Sequence, residues 1–138
     1  FLYSYGEKYL TEVEPDLHGW LYRTLSFQKK GVAVIGSSDY PVGPSNPFLG
    51  IQAAATRKCG NGSTLNDAER MSLTESIKLF TCAGAWVGFD EQSLGKIIPG
   101  YRADIIIADG DIFDRPVESL GATPILTTII DGQIVYSA

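Results

Sequence analysis

A chain of 138 residues, 44% hydrophobic and 20% charged, has the composition of one ordinary globular domain and not of a disordered segment. Its net charge of −5, with Lys29-Lys30 and Arg57-Lys58 as isolated basic pairs, argues against nucleic acid as a partner. No apolar run approaches the ~20 residues of a membrane span, and one histidine with two cysteines leaves no Cys/His cluster for a zinc finger or ribbon.

In chain order, Phe1 to Asp16 mixes aromatics and acids with Gly6 and Pro15 and reads as a surface loop or insertion. A helix is predicted from about Leu17 or Trp20 to Lys30, with lysines suiting its C-terminal dipole and Gly31 as its stop. The run V-A-V-I from Val32 reads as a short buried strand. Gly36, Ser37 and Ser38 narrow the backbone at its end, Asp39 stands at its tip, and Pro41 prevents continuation. A helix feeding directly into a buried strand is an αβ unit and implies an α/β fold with a parallel sheet.

Pro41, Pro44 and Pro47 stiffen the following loop. Asn46 is placed to cap a helix over Pro47 to about Lys58, with proline at its first position. Cys59 to Ala68 is rich in Gly, Asn and Ser and reads as a flexible excursion. Ser72 and Glu75 have capping-box spacing, so a helix starts near Leu73, with Leu73, Ile77 and Phe80 on its packed face. A helical turn around Ala85 to Phe89 follows. Pro99-Gly100 predicts a type II turn, and Asp104 to Ala108 an Ile-rich strand. Ile125 to Ile130 and Gln133 to Tyr136 flank Asp131-Gly132 as a hairpin.

Asp39 is the leading candidate for chemistry. A carboxylate at the C-terminal tip of a buried strand is costly to desolvate unless a metal or donor cluster offsets its charge; the competing reading is a capping or turn aspartate. The other candidates read as structural. His18 has a surface or capping role, Arg23 forms a structural ion pair, and Asp104 satisfies backbone amides at a strand entrance. Cys59 has no base near it in sequence, and a bridge to Cys82 has no support from spacing. Ser37 and Ser38 lack the second glycine of a G-x-S-x-G nucleophile elbow.

Four segments carry a family resemblance: S-D-Y-P-V-G-P-S-N-P-F-L-G-I-Q-A-A-A-T-R (Ser38 to Arg57), E-R-M-S-L-T-E-S-I-K-L-F-T (Glu69 to Thr81), G-K-I-I-P-G-Y-R-A-D-I-I-I-A-D (Gly95 to Asp109) and T-I-I-D-G-Q-I-V-Y (Thr128 to Tyr136). In this order they resemble the end of the last barrel strand and the C-terminal region of the amidohydrolase superfamily. The resemblance is to the branch called amidohydrolase family 3, which includes N-substituted formamide deformylases. It runs from near Leu21 to the end, and its most specific parts are S-D-x-P and G-x-I-x-P-G-x-x-A-D. Tyr40 stands where the family often has Trp.

The resemblance implies a metal-dependent (β/α)8 barrel with a small β-sandwich, of which residues 1–92 would be the C-terminal barrel portion and 93–138 the C-terminal sandwich strands. It implies that Asp39 binds a divalent metal, zinc being the expectation, takes a proton from the metal-bound water and hands it to the leaving nitrogen. Tyr40 and Pro44 would line the substrate cleft. The family builds its metal site from a His-x-His pair, a bridging lysine or acid and two further histidines, whereas this chain has His18 alone. A barrel also needs about 250 residues. The expectation is therefore a C-terminal piece of a longer hydrolase acting on non-peptide C–N bonds of a small-molecule substrate, such as an amide, formamide or cyclic amide. The piece alone would be inactive, cytoplasmic by default and homo-oligomeric through its uncovered faces. The alternative is a non-catalytic binding or regulatory module of the same ancestry.

Overall fold

Residues Leu2, Gly6, Tyr9 and Leu10 share one helix face, and the computed structural model, which describes all residues from Phe1 to Ala138, places them in helix α1 (Leu2–Glu12). This corrects the loop reading of Phe1 to Asp16. Gly6 suggests a loop because glycine costs a helix about 1 kcal/mol relative to alanine, but close packing requires it here: a Cβ at Gly6 would overlap Cys59 Sγ. Leu2 joins Ala53, Cys59 and Leu65 in one core cluster. Gly6→Ala is expected to lower the stability of the full-length protein by about 1–3 kcal/mol, as overpacked cores do. Adding Cys59→Ala should recover part of that loss. Equal and additive losses in denaturant unfolding would contradict the contact.

The helix expected up to Lys30 is broken. Pro15–Trp20 is a 3₁₀ turn, Tyr22 has φ 51°, and helix α2 covers only Thr24–Lys29. The reason is tertiary. Asn66 Nδ2 donates to the carbonyls of Gly19 and Leu21, and the Tyr22 hydroxyl donates to that of Tyr9, so the backbone is held away from helical geometry.

Val32 to Ile35 is neither helix nor strand and pairs with no strand, and Val32 and Ile35 are exposed, where a buried strand of a parallel sheet is predicted. Pairing needs neighbouring strands, and the sheet of this chain lies elsewhere and is antiparallel. The segment is tied down at its end, where Gly36 N–H donates to the Leu79 carbonyl (2.9 Å). The Phe80 ring occupies the space that a Cβ at Gly36 or Gly50 would need.

Helix α3 (Pro47–Thr56) forms as the sequence reads. Asn46 Oδ1 accepts from Phe48 N–H (2.9 Å), Pro47 opens the helix, and Arg57 ends it in the left-handed conformation at φ 59°. It is the centre of the molecule, with Ala53 in the α1 cluster and Phe48 and Ile51 around the fully buried Leu120. The segment after α3 closes on itself, correcting the flexible-excursion reading. Lys58 bridges Thr64, Cys59 N–H donates to Ser63 O (2.8 Å), and Leu65 is fully buried.

Ser72 Oγ accepts from Glu75 N–H (3.2 Å) at the start of helix α4 (Leu73–Leu79), and helix α5 runs Cys82–Val87, earlier than the predicted turn. The Pro99-Gly100 turn is closed by Tyr101 N–H to Ile98 O (3.2 Å), with Gly100 at φ 91°. Strands β1 (Ile105–Ala108), β2 (Ile125–Ile130) and β3 (Gln133–Ser137) form one antiparallel sheet in that order. Asp104 Oδ1 accepts from Asp131 N–H (2.7 Å), the backbone role its position predicts. A 3₁₀ turn, Val117–Ala122, returns this region to α3, where Gly121 N–H donates to Gln52 Oε1 (2.8 Å) and Gly121 O accepts from Asn46 Nδ2 (2.9 Å). No helix is long and apolar enough to cross a membrane.

Candidate functional site

The Asp39 loop is built by short-range bonds. Asp39 has φ 51°, a left-handed conformation that Asp adopts more readily than most residues. Ser37 Oγ accepts from Asp39 N–H and Ser38 Oγ from Tyr40 N–H, each at 3.2 Å, the local turn bonds in which serine competes with regular structure. Val42 N–H then donates to Asp39 O (2.8 Å), closing a turn over the Tyr40–Pro41 bond, which is cis. At the far end Gly43 is required, because a Cβ there would overlap the Ser38 carbonyl. Tyr5 of α1 donates its hydroxyl to the Val42 carbonyl at 2.9 Å.

The Asp39 side chain is exposed and makes no hydrogen bond or ion pair within the chain. It is neither a helix cap nor a buried strand-end carboxylate. Beside its loop a cleft of about 320 Å³ opens between the start of α1, residues 35–38 and α3. Pro44 lines it; Tyr40 does not, and is 71% exposed on the loop surface.

No three His, Cys, Asp or Glu side chains gather closely enough to hold a metal ion. A lone carboxylate fits one position of a divalent-metal site, since a catalytic zinc takes about three protein ligands, and these residues alone do not complete one.

The other candidates fall into structural roles. His18 Nε2 donates to Val13 O at 2.8 Å, capping the turn after α1. Arg23 makes no ion pair within 4 Å, contrary to expectation, and instead stacks over the Trp20 ring at 4.6 Å, a cation–π contact. Cys59 and Cys82 are both free.

Sequence reading missed a buried charged cluster beneath this cleft. Arg57 is 2% exposed, with Nε donating to Leu65 O (3.2 Å) and Nη2 to Leu21 O (3.5 Å). Burial lowers its pKa, and the charges of Glu69 and its neighbours oppose that change. Glu69 accepts from the backbone N–H of Ser26 (2.8 Å) and from its hydroxyl. Burial acts to raise the Glu69 carboxyl, but the Ser26 bonds and the charges of Arg23 and Arg57 outweigh it and hold its pKa below the ordinary value. Burial, then the bond with Tyr9, raises that of Tyr22. The available sequence signal was the turn chemistry around Arg57, which allows a left-handed helix end.

A pH dependence follows from Glu69. A carboxyl depressed in the folded state contributes stability that is present above its unfolded value, near 4.5, and lost as pH falls through the lower folded value. Glu69→Gln should destabilise the full-length protein by about 1–3 kcal/mol at neutral pH. It should also flatten the fall of the thermal midpoint below about pH 5. An unchanged acid limb would remove Glu69 from this role.

Comparison with known proteins adds the following. The family described as "Amidohydrolase family" matches residues 8–136. The protein YtcJ of Bacillus subtilis (strain 168), named as an amidohydrolase, is 42% identical over 110 residues, covering 78% of this chain and 21% of YtcJ. The N-substituted formamide deformylase of Arthrobacter pascens is 27% identical over 135 residues, covering 97% of this chain and 25% of that enzyme. Among solved structures, an uncharacterised metal-dependent hydrolase from Pyrococcus horikoshii OT3 superposes with a TM-score of 0.62 at 25% identity, over 75% of this chain and 21% of that one. The chain thus spans a fifth to a quarter of the length of the curated relatives it matches.

Proposed function

The chain belongs to the amidohydrolase family, and on that premise we propose that it forms part of a metal-dependent hydrolase of non-peptide C–N bonds, to which it contributes Asp39. The observation that carries this reading is the Asp39 carboxylate itself, free of any partner within the chain and presented on a loop closed by local bonds. The similarity to a formamide deformylase makes N-substituted formamides and amides the first substrate class to test.

When bound, a divalent metal, zinc in this proposal, lowers the pKa of water toward neutrality. As the water oxygen bonds to the carbonyl carbon, Asp39 would accept its proton at a carboxylate oxygen, and would return that proton to the nitrogen as the C–N bond breaks, releasing an amine and leaving the acyl group as the acid. Pro44 shapes the wall of the cleft beside it. The remaining ligands lie outside these 138 residues. Residues 1–92 are read as the closing part of a (β/α)8 barrel with Val32 to Ile35 as its last strand, and 93–138 as strands of a small β-sandwich. The free backbone groups of Ala33 to Ile35, between α2 and α3, support that reading. The test is turnover of N-substituted formamides and amides by the metal-loaded full-length protein against its Asp39→Asn variant.

A further inference from the structure

Asp39, Tyr40, Pro41 and Val42 are all exposed in this chain, and of residues 37–43 only Gly43 is buried, so little packing within the chain holds this loop in place. Its own bonds fix its shape: Ser37 Oγ to Asp39 N–H, Ser38 Oγ to Tyr40 N–H, and Asp39 O to Val42 N–H. They do not fix where that shape sits relative to the rest of the molecule. One hydrogen bond reaches residues 37–43 from elsewhere, the Tyr5 hydroxyl to the Val42 carbonyl at 2.9 Å.

Tyr5 is well placed to serve as an anchor because α1 is itself immobilised. Leu2 and Gly6, on either side of Tyr5 in sequence, are both buried. Gly60 N–H donates to Tyr3 O (2.8 Å), joining the first turn of α1 to the closed segment after α3. The Tyr5 ring leans on Phe1, with centroids 5.9 Å apart, and its hydroxyl projects beyond that contact to the loop.

We infer that Tyr5 is a positioning residue, whose hydroxyl, bonded to the Val42 carbonyl, fixes the loop that carries Asp39 relative to helix α1. The catalytic consequence rests on the reading of Asp39 given above; the latch itself does not. A carboxylate that accepts and returns a proton must be held within hydrogen-bond reach of both partners. A misplacement of about 1 Å is enough to cost an enzyme on the order of 100-fold. Freeing the loop spreads the carboxylate over several placements and leaves its chemistry unchanged, so the loss appears in turnover and not in substrate binding.

Tyr5→Phe removes the hydroxyl and keeps the ring on Phe1, so the variant is expected to fold. It is compared with the wild-type and Asp39→Asn full-length proteins in two measurements. Amide hydrogen exchange, followed by mass spectrometry, should show faster exchange in Tyr5→Phe for peptides spanning residues 37–43, with peptides of α3 unchanged. Steady-state kinetics on N-substituted formamides should show kcat down about tenfold with KM within about twofold, the pattern of an interaction made in the transition state. Unchanged loop exchange would overturn the latch. Faster loop exchange with unchanged kcat would overturn the positioning role. Retained turnover in Asp39→Asn would instead overturn the reading of Asp39, leaving the exchange result to decide the latch alone.

Discussion

Asp39→Asn in the full-length protein is expected to lower kcat by about a thousandfold, within the 10²–10⁴ range of a lost general acid–base, while leaving the fold intact. The fold should survive for a specific reason. Ser37 and the turn to Val42 engage the backbone of residue 39 and not its side chain, so those bonds remain in the variant. Asparagine also tolerates the left-handed conformation that Asp39 holds at φ 51°. The side chain is exposed, and exposed substitutions away from special features shift stability by about 0.5 kcal/mol or less. A kcat lowered about a thousandfold with an unchanged thermal midpoint is therefore the expected pair of results. Near-normal kcat would take Asp39 out of the reaction.

The second large effect concerns the 138-residue chain by itself. It is expected to turn over no amide or formamide and to self-associate. It gathers no set of metal ligands, and a catalytic zinc takes about three from protein. Its uncovered apolar surface is extensive: Val32 and Ile35 on the unpaired segment, Trp86 and Phe89 at the end of α5, Ile97 and Ile98 beyond it, and Ile134, Val135 and Tyr136 of β3. Covering one large apolar side chain contributes about 1.5–3 kcal/mol, and unpaired sheet edges invite pairing with another copy. Sedimentation should give a weight-average mass that rises with concentration. A compact, protected monomer at micromolar concentration would show that the chain is complete as a domain. Turnover, or a tight stoichiometric zinc complex by calorimetry, would overturn the expected inactivity.

Local chemistry was legible in the sequence wherever local chemistry decides the structure. The Asn46-Pro47 cap, the Ser72 cap, the Pro99-Gly100 turn and the Asp131-Gly132 hairpin all depend on a few neighbouring residues, and the structure contains each of them. Distant partners defeated the reading elsewhere. Helix α1 depends on a slot against Cys59 that Gly6 alone fits, and the break at Tyr22 depends on Asn66 and Tyr9. The run read as a strand at Val32 pairs with no strand, because pairing is a property of neighbours and the three strands of this chain form a sheet of their own. Asp39 was singled out by its place at the end of that run. The Tyr5 contact to its loop was hidden because the segment holding Tyr5 read as irregular. The helical recurrence of Leu2, Gly6, Tyr9 and Leu10 was the signal that could have found it.

The Phe80 ring, set between Gly36 and Gly50, also has a consequence for the order of assembly. Apart from Val32 N–H, which donates to Phe27 O (3.0 Å), residues 32–36 find no backbone partner near them in sequence, and what secures Gly36 is a contact across a long stretch of chain. During synthesis, α3 can form and pack on α1 while the segment leading to Asp39 is still loose. Only after α4 has emerged and placed Leu79 and Phe80 can Gly36 be captured. Contacts of such sequence separation form late, because the loop-closure entropy must be overcome first. The segment leading into the Asp39 loop would thus be captured only once α4 has been made, and a nascent chain halted before residue 80 would hold that loop to α1 by the Tyr5 bond alone.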